Sequence, residues 1–225
     1  MPLINVSRKK APIIMGIAIV VILISLISIF KTGSSSKAKI DVGRFEGLGR
    51  ITGEETANFL GSGKSIVLVR QSREMKSEVL EKMHAAFTKA LKDGGVSVTA
   101  EEEIQMGEEA PEYMMIDMIG LPIGEYVRVA EAHSSVDAII SMVGGLFAGP
   151  AELDQIPDGL PPLIVAHGAD HRMSSVDLFE RGVLMMVVTP RHDLPDTESE
   201  PETPREWFDT YFEIITADSV EDAQY

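Results

Sequence analysis

Asp137–Gly145 reads DAIISMVGG and Pro162–Gly168 reads PLIVAHG. Each is a short, unbroken apolar run that closes on small or polar residues. A strand with one wet face alternates apolar and polar side chains, whereas a strand covered on both faces does not. Three more runs share the pattern: Ser65–Arg70 (SIVLVR), Val96–Thr99 (VSVT) and Val183–Thr189 (VLMMVVT). With Asp137–Val143 and Pro162–Ala166 they make five buried strands, which predicts a parallel sheet between layers of helix.

The segments between them are helical in pattern. Arg73–Leu91 sets Met75, Val79, Met83, Phe87, Ala90 and Leu91 on one face with Glu and Lys opposite, and Asp93-Gly94-Gly95 ends it. Tyr126–His133 and Ser174–Arg181 are shorter, the second with Ser174 as N-cap and Gly182 as stop. A helix over Glu54–Leu60 leads into the first strand. The last segment, Pro204–Ile215, holds Trp207, Phe208, Tyr211 and Phe212 and packs on the sheet. Strand–helix alternation throughout predicts a doubly wound, mostly parallel, five-stranded open sheet. On the DAIISMVGG and PLIVAHG stretches the pattern resembles a flavodoxin-like domain, or one lobe of a type I periplasmic binding protein. The chain is too short for two such lobes, so a ligand clamped between lobes would need a second chain.

Working outward to the N-terminus, Ala11–Phe30 is twenty residues without a charge. As a helix it would be about 30 Å long, the thickness of a bilayer's hydrocarbon core. Arg8, Lys9 and Lys10 precede it, which orients the N-terminus inside and the remainder outside the cytoplasmic membrane. The run is too long, and Ser36-Lys37-Ala38 too distant, for a cleaved signal peptide. The expected organisation is a cytoplasmic N-terminus over 1–10, a membrane helix over 11–30, a linker over 31–39 and an extracytoplasmic domain over 40–225. Within that domain, Asp193–Glu206 (DLPDTESEPETPRE) reads as an acidic, proline-rich loop.

All 35 acidic residues lie at or after Asp41, with 14 of the 20 basic ones, so residues 40–225 carry a net charge of −21. Nucleic acid and anionic lipid are poor partners for such a surface. Without cysteine there is no disulfide, thiol nucleophile or thiolate metal site.

Most motif fragments dissolve on inspection. Gly63-Lys64-Ser65 suggests a phosphate loop, but the required upstream glycine is Asn58, and the string follows a helix and opens a strand. Glycines 43, 47, 49 and 53 follow no strand, so they make no dinucleotide fingerprint. The richest cluster is His167, Asp170, His171 and Arg172 after the fourth strand, with Arg191, His192 and Asp193 after the fifth. In an open parallel sheet both loops reach the carboxyl edge, where ligands bind. Gln71 and Ser72 after the first strand, and Gly144 and Gly145 after the third, face the same edge. His84 and His133 read as structural.

These observations predict a non-enzymatic, membrane-anchored domain that binds a small molecule, an envelope protein or a second copy of itself. No cofactor and no metal are assigned. Two competing classes follow from the same residues. One is a metal-assisted hydrolase using His167, Asp170, His171 and His192 with a bound water as nucleophile. The other is a structural scaffold of an envelope complex, with no ligand in the crevice.

Overall fold

The computed structural model describes residues 42–72, 78–104, 120–147, 153–167, 172–191, 194 and 201–220. The segment Ala11–Phe30, with its flanks and linker, lies outside the described residues. Among the described residues no helix is long and apolar enough to cross a membrane.

In chain order the elements are α1 (Val42–Leu60), β1 (Ser65–Gln71), α2 (Glu78–Asp93), β2 (Ser97–Ile104), β3 (Leu121–Pro122), α3 (Ile123–Ala132), β4 (Ala138–Ser141), β5 (Leu146–Phe147), β6 (Leu163–Val165), α4 (Arg172–Glu180), β7 (Leu184–Pro190), α5 (Pro204–Tyr211) and β8 (Phe212–Thr216). Six strands form one sheet in the order β2-β1-β4-β6-β7-β8, and β3 pairs with β5 in a two-residue ladder. The first five are parallel neighbours, and β8 joins β7 antiparallel.

The unbroken apolar runs become strands because both faces are covered. Val67 and Val69 point into one core, with Ile139, Leu163, Val165, the α3 residues Tyr126 and Val129, and the α4 residues Leu178 and Phe179. Ile66 and Leu68 point into the other, with Ile140, Ile164, Met186, the α1 residues Leu48 and Ile51, Phe87 of α2 and Phe208 of α5. Tyr126 is fully buried, and its hydroxyl donates to the Pro161 carbonyl at 2.9 Å. Burial pushes that phenol up to about 12.

Several expectations need correction. The sheet has six strands, not five, because Phe212–Thr216 forms an antiparallel edge strand instead of merely packing on the sheet. Only Phe212 and Ile215 are buried and the other three are half-buried, which is ordinary for an edge. The second strand runs on past Thr99 to Ile104, carrying Glu101, Glu102 and Glu103 on a sheet edge. Charge belongs there, since it blocks pairing with a foreign strand. Helix α1 starts at Val42, twelve residues before Glu54, despite its glycines. Ser174 lies inside α4 instead of capping it. Helix α5 starts at Pro204, as expected, and Thr203 at the end of the acidic stretch is its cap.

The string Gly61–Lys64 is a turn between α1 and β1. Lys64 Nζ reaches Asp137 at 2.9 Å, and the same carboxylate accepts the Ser65 N–H at 2.8 Å. The would-be phosphate lysine is thus tied to the start of β4, at the amino edge of the sheet.

Candidate functional site at the carboxyl edge

Parallel register places Val69, Ser141, Val165 and Val187 on one line across four strands. Just beyond that line lie Gln71–Ser72, Met142–Gly145, Ala166–His167 and Val188–Arg191. Between β1 and β4 the strand order reverses: the chain leaves β1 toward β2, and leaves β4 toward β6 on the other side. Connections that diverge from adjacent strands open a crevice at that point.

The connections at the amino edge are short. There α1–β1, α2–β2, α3–β4 and α4–β7 are joined by four, three, five and three residues.

Gln71 is the last residue of β1 and is half-buried. Its Oε1 is shielded from solvent with no hydrogen-bond partner. A shielded acceptor left unpaired costs about 1–3 kcal/mol, so such an atom marks a place where a partner fits. Ser72 does not offer its N–H to an anion, because that group donates to the Ile104 carbonyl at 3.1 Å. On the opposite face of β1, Arg70 is only 17% exposed, and its Nη2 holds Glu103 at 2.8 Å and Glu101 at 3.2 Å.

The exit of β4 is a tight turn. Ser141 is fully buried, its hydroxyl donates to the Gly144 carbonyl at 2.7 Å, and its own carbonyl accepts the Ala166 N–H at 2.9 Å. Gly144 takes φ of +101°, a left-handed conformation that disfavours side chains. Gly145 then passes its carbonyl to the Leu121 N–H at 2.7 Å. The close backbone approach expected at Gly144-Gly145 therefore serves β3 and β5 of the protein itself.

His167 follows β6 at the expected edge and is half-buried, but its ring sits 6.2 Å from that of Phe212. It thus faces the α1/α2/α5 side. Arg191 is committed too: its N–H donates to the Tyr211 carbonyl and its Nε to the Phe212 carbonyl at 2.9 Å. That side chain fastens the start of β8. Arg172 opens α4, with its side chain outside the described part. Asp170, His171, His192 and Asp193 lie outside the described residues. Among the described residues no group of three or more His, Asp or Glu is close enough to hold a metal ion.

Two buried polar residues at this edge escaped the sequence reading. Ser141 was legible as the lone hydroxyl in an apolar strand. Thr189, one residue before the end of β7, is 2% exposed with its Oγ1 unpartnered.

No family model matches the chain, and no curated protein matches it. Solved structures of similar fold include a periplasmic ribose ABC transporter protein from Conexibacter woesei. It is 17% identical over 79% of this chain and 59% of that one, with a TM-score of 0.47. AraP, an arabinose-binding protein from Geobacillus stearothermophilus, is 13% identical over 80% and 63%, with a TM-score of 0.44. A sugar-binding protein of a sugar ABC transporter from Bacillus halodurans is 14% identical over 80% and 64%, with a TM-score of 0.47. The chain spans less than two thirds of the length of each.

Proposed function

We propose that the α/β domain is a non-catalytic binding domain for a small molecule, seated at the carboxyl edge between the exits of β1 and β4. The observation that carries this reading is the switch point itself, with the shielded, unpartnered Oε1 of Gln71 at its lip. A ligand satisfying Gln71 presents an N–H or O–H donor. One sheet edge covers one side of a ligand, so a second wall comes from an envelope partner or a second copy of the chain. The domain is held outside the cytoplasmic membrane by Ala11–Phe30, oriented by Arg8, Lys9 and Lys10.

Residues 40–225 are to be screened by thermal shift against neutral, hydroxyl- or amide-bearing small molecules, and hits mapped by amide chemical shifts. Shifts clustering at Gln71, Ser72, Gly144 and Gly145 are expected, with Gln71→Ala weakening binding about tenfold. Shifts confined to Lys64 and Asp137, or chemical turnover of the hit, would overturn the reading. For the anchor, a reporter fused after Tyr225 should be active only outside the cytoplasm. A mature protein starting at Lys39 would replace the anchor with a cleaved leader.

A further inference from the structure

Gln71 is not alone at its level of the sheet. Val69 of β1 and Val187 of β7 stand on one line across the strands, and two residues further on come Gln71 and Thr189. Alternate residues of a strand share a face. Val69 belongs to the α3/α4-side core and Val187 packs against it, so Gln71 and Thr189 emerge together on that side. Gln71 Oε1 and Thr189 Oγ1 are both shielded from solvent without a hydrogen-bond partner. Between them in strand order, the Ser141 hydroxyl of β4 is committed to the Gly144 carbonyl, and Val143 is apolar. After β6, the His167 ring stands by Phe212, which belongs to the opposite core. The described floor is thus an apolar middle with an unpaired oxygen at each end.

We infer that the site is elongated and that one uncharged ligand bridges Gln71 to Thr189, with a hydroxyl or amide N–H donor at each of its ends. This rests on the carboxyl-edge reading given above. Leaving either oxygen buried and unpaired is costly, and a single bridging molecule satisfies both. Three strand spacings separate β1 from β7, about 14 Å at about 4.8 Å each. After about 3 Å for each hydrogen bond, the ligand's terminal donors stand about 8 Å apart. One residue of extended peptide covers only about 3.5 Å, so the ligand has two or three units. Its neutrality follows from the neighbours. Glu213 of β8, in register with Thr189, and the net charge of −21 over residues 40–225 disfavour an anion. Beside Gln71 the residue in register on β2 is Ile104, which offers a cation no countercharge.

Thr189→Val and Gln71→Leu remove the two orphan oxygens at nearly constant volume. In the full chain, held in a sugar-free detergent, each should raise the unliganded melting temperature, because a buried unpaired polar atom is lost. Calorimetric titration with neutral saccharides and with acetylated peptide amides, of one, two and three units each, should show affinity rising at least tenfold with length. The two arms separate hydroxyl from amide recognition. Thr189→Val should remove the rise with length, and Gln71→Leu should weaken every compound that binds. Affinity that does not grow with length, or a rise that survives Thr189→Val, would overturn the bridge and leave the site between β1 and β4 standing. Absence of binding throughout both series would overturn the bridge and that site together. A Thr189→Val chain that melts below the native one would show that the hydroxyl already has a structural partner, and the inference would fail.

Discussion

Gly49 sits in α1 where a Cβ would stand 2.1 Å from the Met83 carbonyl oxygen of α2. One turn on, a Cβ at Gly53 would stand 2.6 Å from the Phe87 carbonyl oxygen. The obstacles are backbone, so neither can swing aside. Gly49→Ala should destabilise the domain by about 2–3 kcal/mol in urea unfolding. Gly124 in α3 is the control, since a Cβ there meets nothing within 4 Å. Gly124→Ala should raise stability by about 0.5 kcal/mol, because it removes backbone freedom from the unfolded chain. Equal effects of the two substitutions would refute the close-approach account. A second residue-scale expectation concerns Asp137. Hydrogen bonds from Lys64 and then from Ser65 hold its carboxyl down from 3.8 to about 2. A carboxylate lowered on folding stabilises the native state above its unfolded value, and that contribution fades as pH falls through the folded one. The stability difference between the native domain and Asp137→Asn should therefore be full above about pH 4 and shrink toward pH 2. A difference that stays flat across that range would contradict the assignment.

Element by element, what the sequence shows depends on whether the signal is local. The buried strands were legible because burial on both faces leaves an unbroken apolar run, as in Ile66–Val69 and Ala138–Ile140. The length of α1 was not legible: Gly43, Gly47, Gly49 and Gly53 each weaken a helix, by roughly 1 kcal/mol relative to alanine. Gly49 and Gly53 let α1 lie against α2, Gly47 lies against Pro204 of α5, and those tertiary contacts outweigh local propensity. β8 was hidden because its apolar residues continue the aromatic run of α5, and only pairing with β7 separates the two. The candidate site was legible as an edge, not as a residue set. Gln71 and His167 reach that edge by topology, yet the ring of His167 beside Phe212 and the bonds of Arg191 depend on long-range contacts. The start of α5 at Pro204 was read, but its cap was readable and went unread. Thr203, Pro204 and Glu206 form a capping box, in which the Thr203 hydroxyl accepts the Glu206 N–H at 3.2 Å and Glu206 accepts the Thr203 N–H at 3.2 Å. Thr203→Ala should cost about 1 kcal/mol of stability, with amide exchange accelerating first in Pro204–Tyr211. Acceleration spread evenly over the sheet would argue against a local cap.

At the scale of the whole domain, two separate cores share one sheet. Successive residues of β1 feed opposite cores, Val67 and Val69 one, Ile66 and Leu68 the other. Neither core can be lost without displacing the strands that wall the other. The sheet's central strands are fully buried, so partial opening would expose apolar surface on both faces at once. Residues 40–225 should consequently unfold in a single cooperative step, although the described residues of α3 and α4 contribute nothing to the core that α1, α2 and α5 cover. The sequence supplies a probe for one side: Trp207, the sole tryptophan, belongs to the α1/α2/α5 core, packed 5.3 Å from the Phe212 ring. Tyr126, fully buried in the other core, can be followed by a ring-fluorinated tyrosine. The urea midpoints from Trp207 fluorescence, fluorine signals at Tyr126 and far-ultraviolet circular dichroism should coincide. Midpoints that separate, with Tyr126 released while Trp207 stays packed, would mean that the shared strands do not couple the cores. The carboxyl edge would then be a junction of two independently folding halves rather than the rim of one rigid sheet.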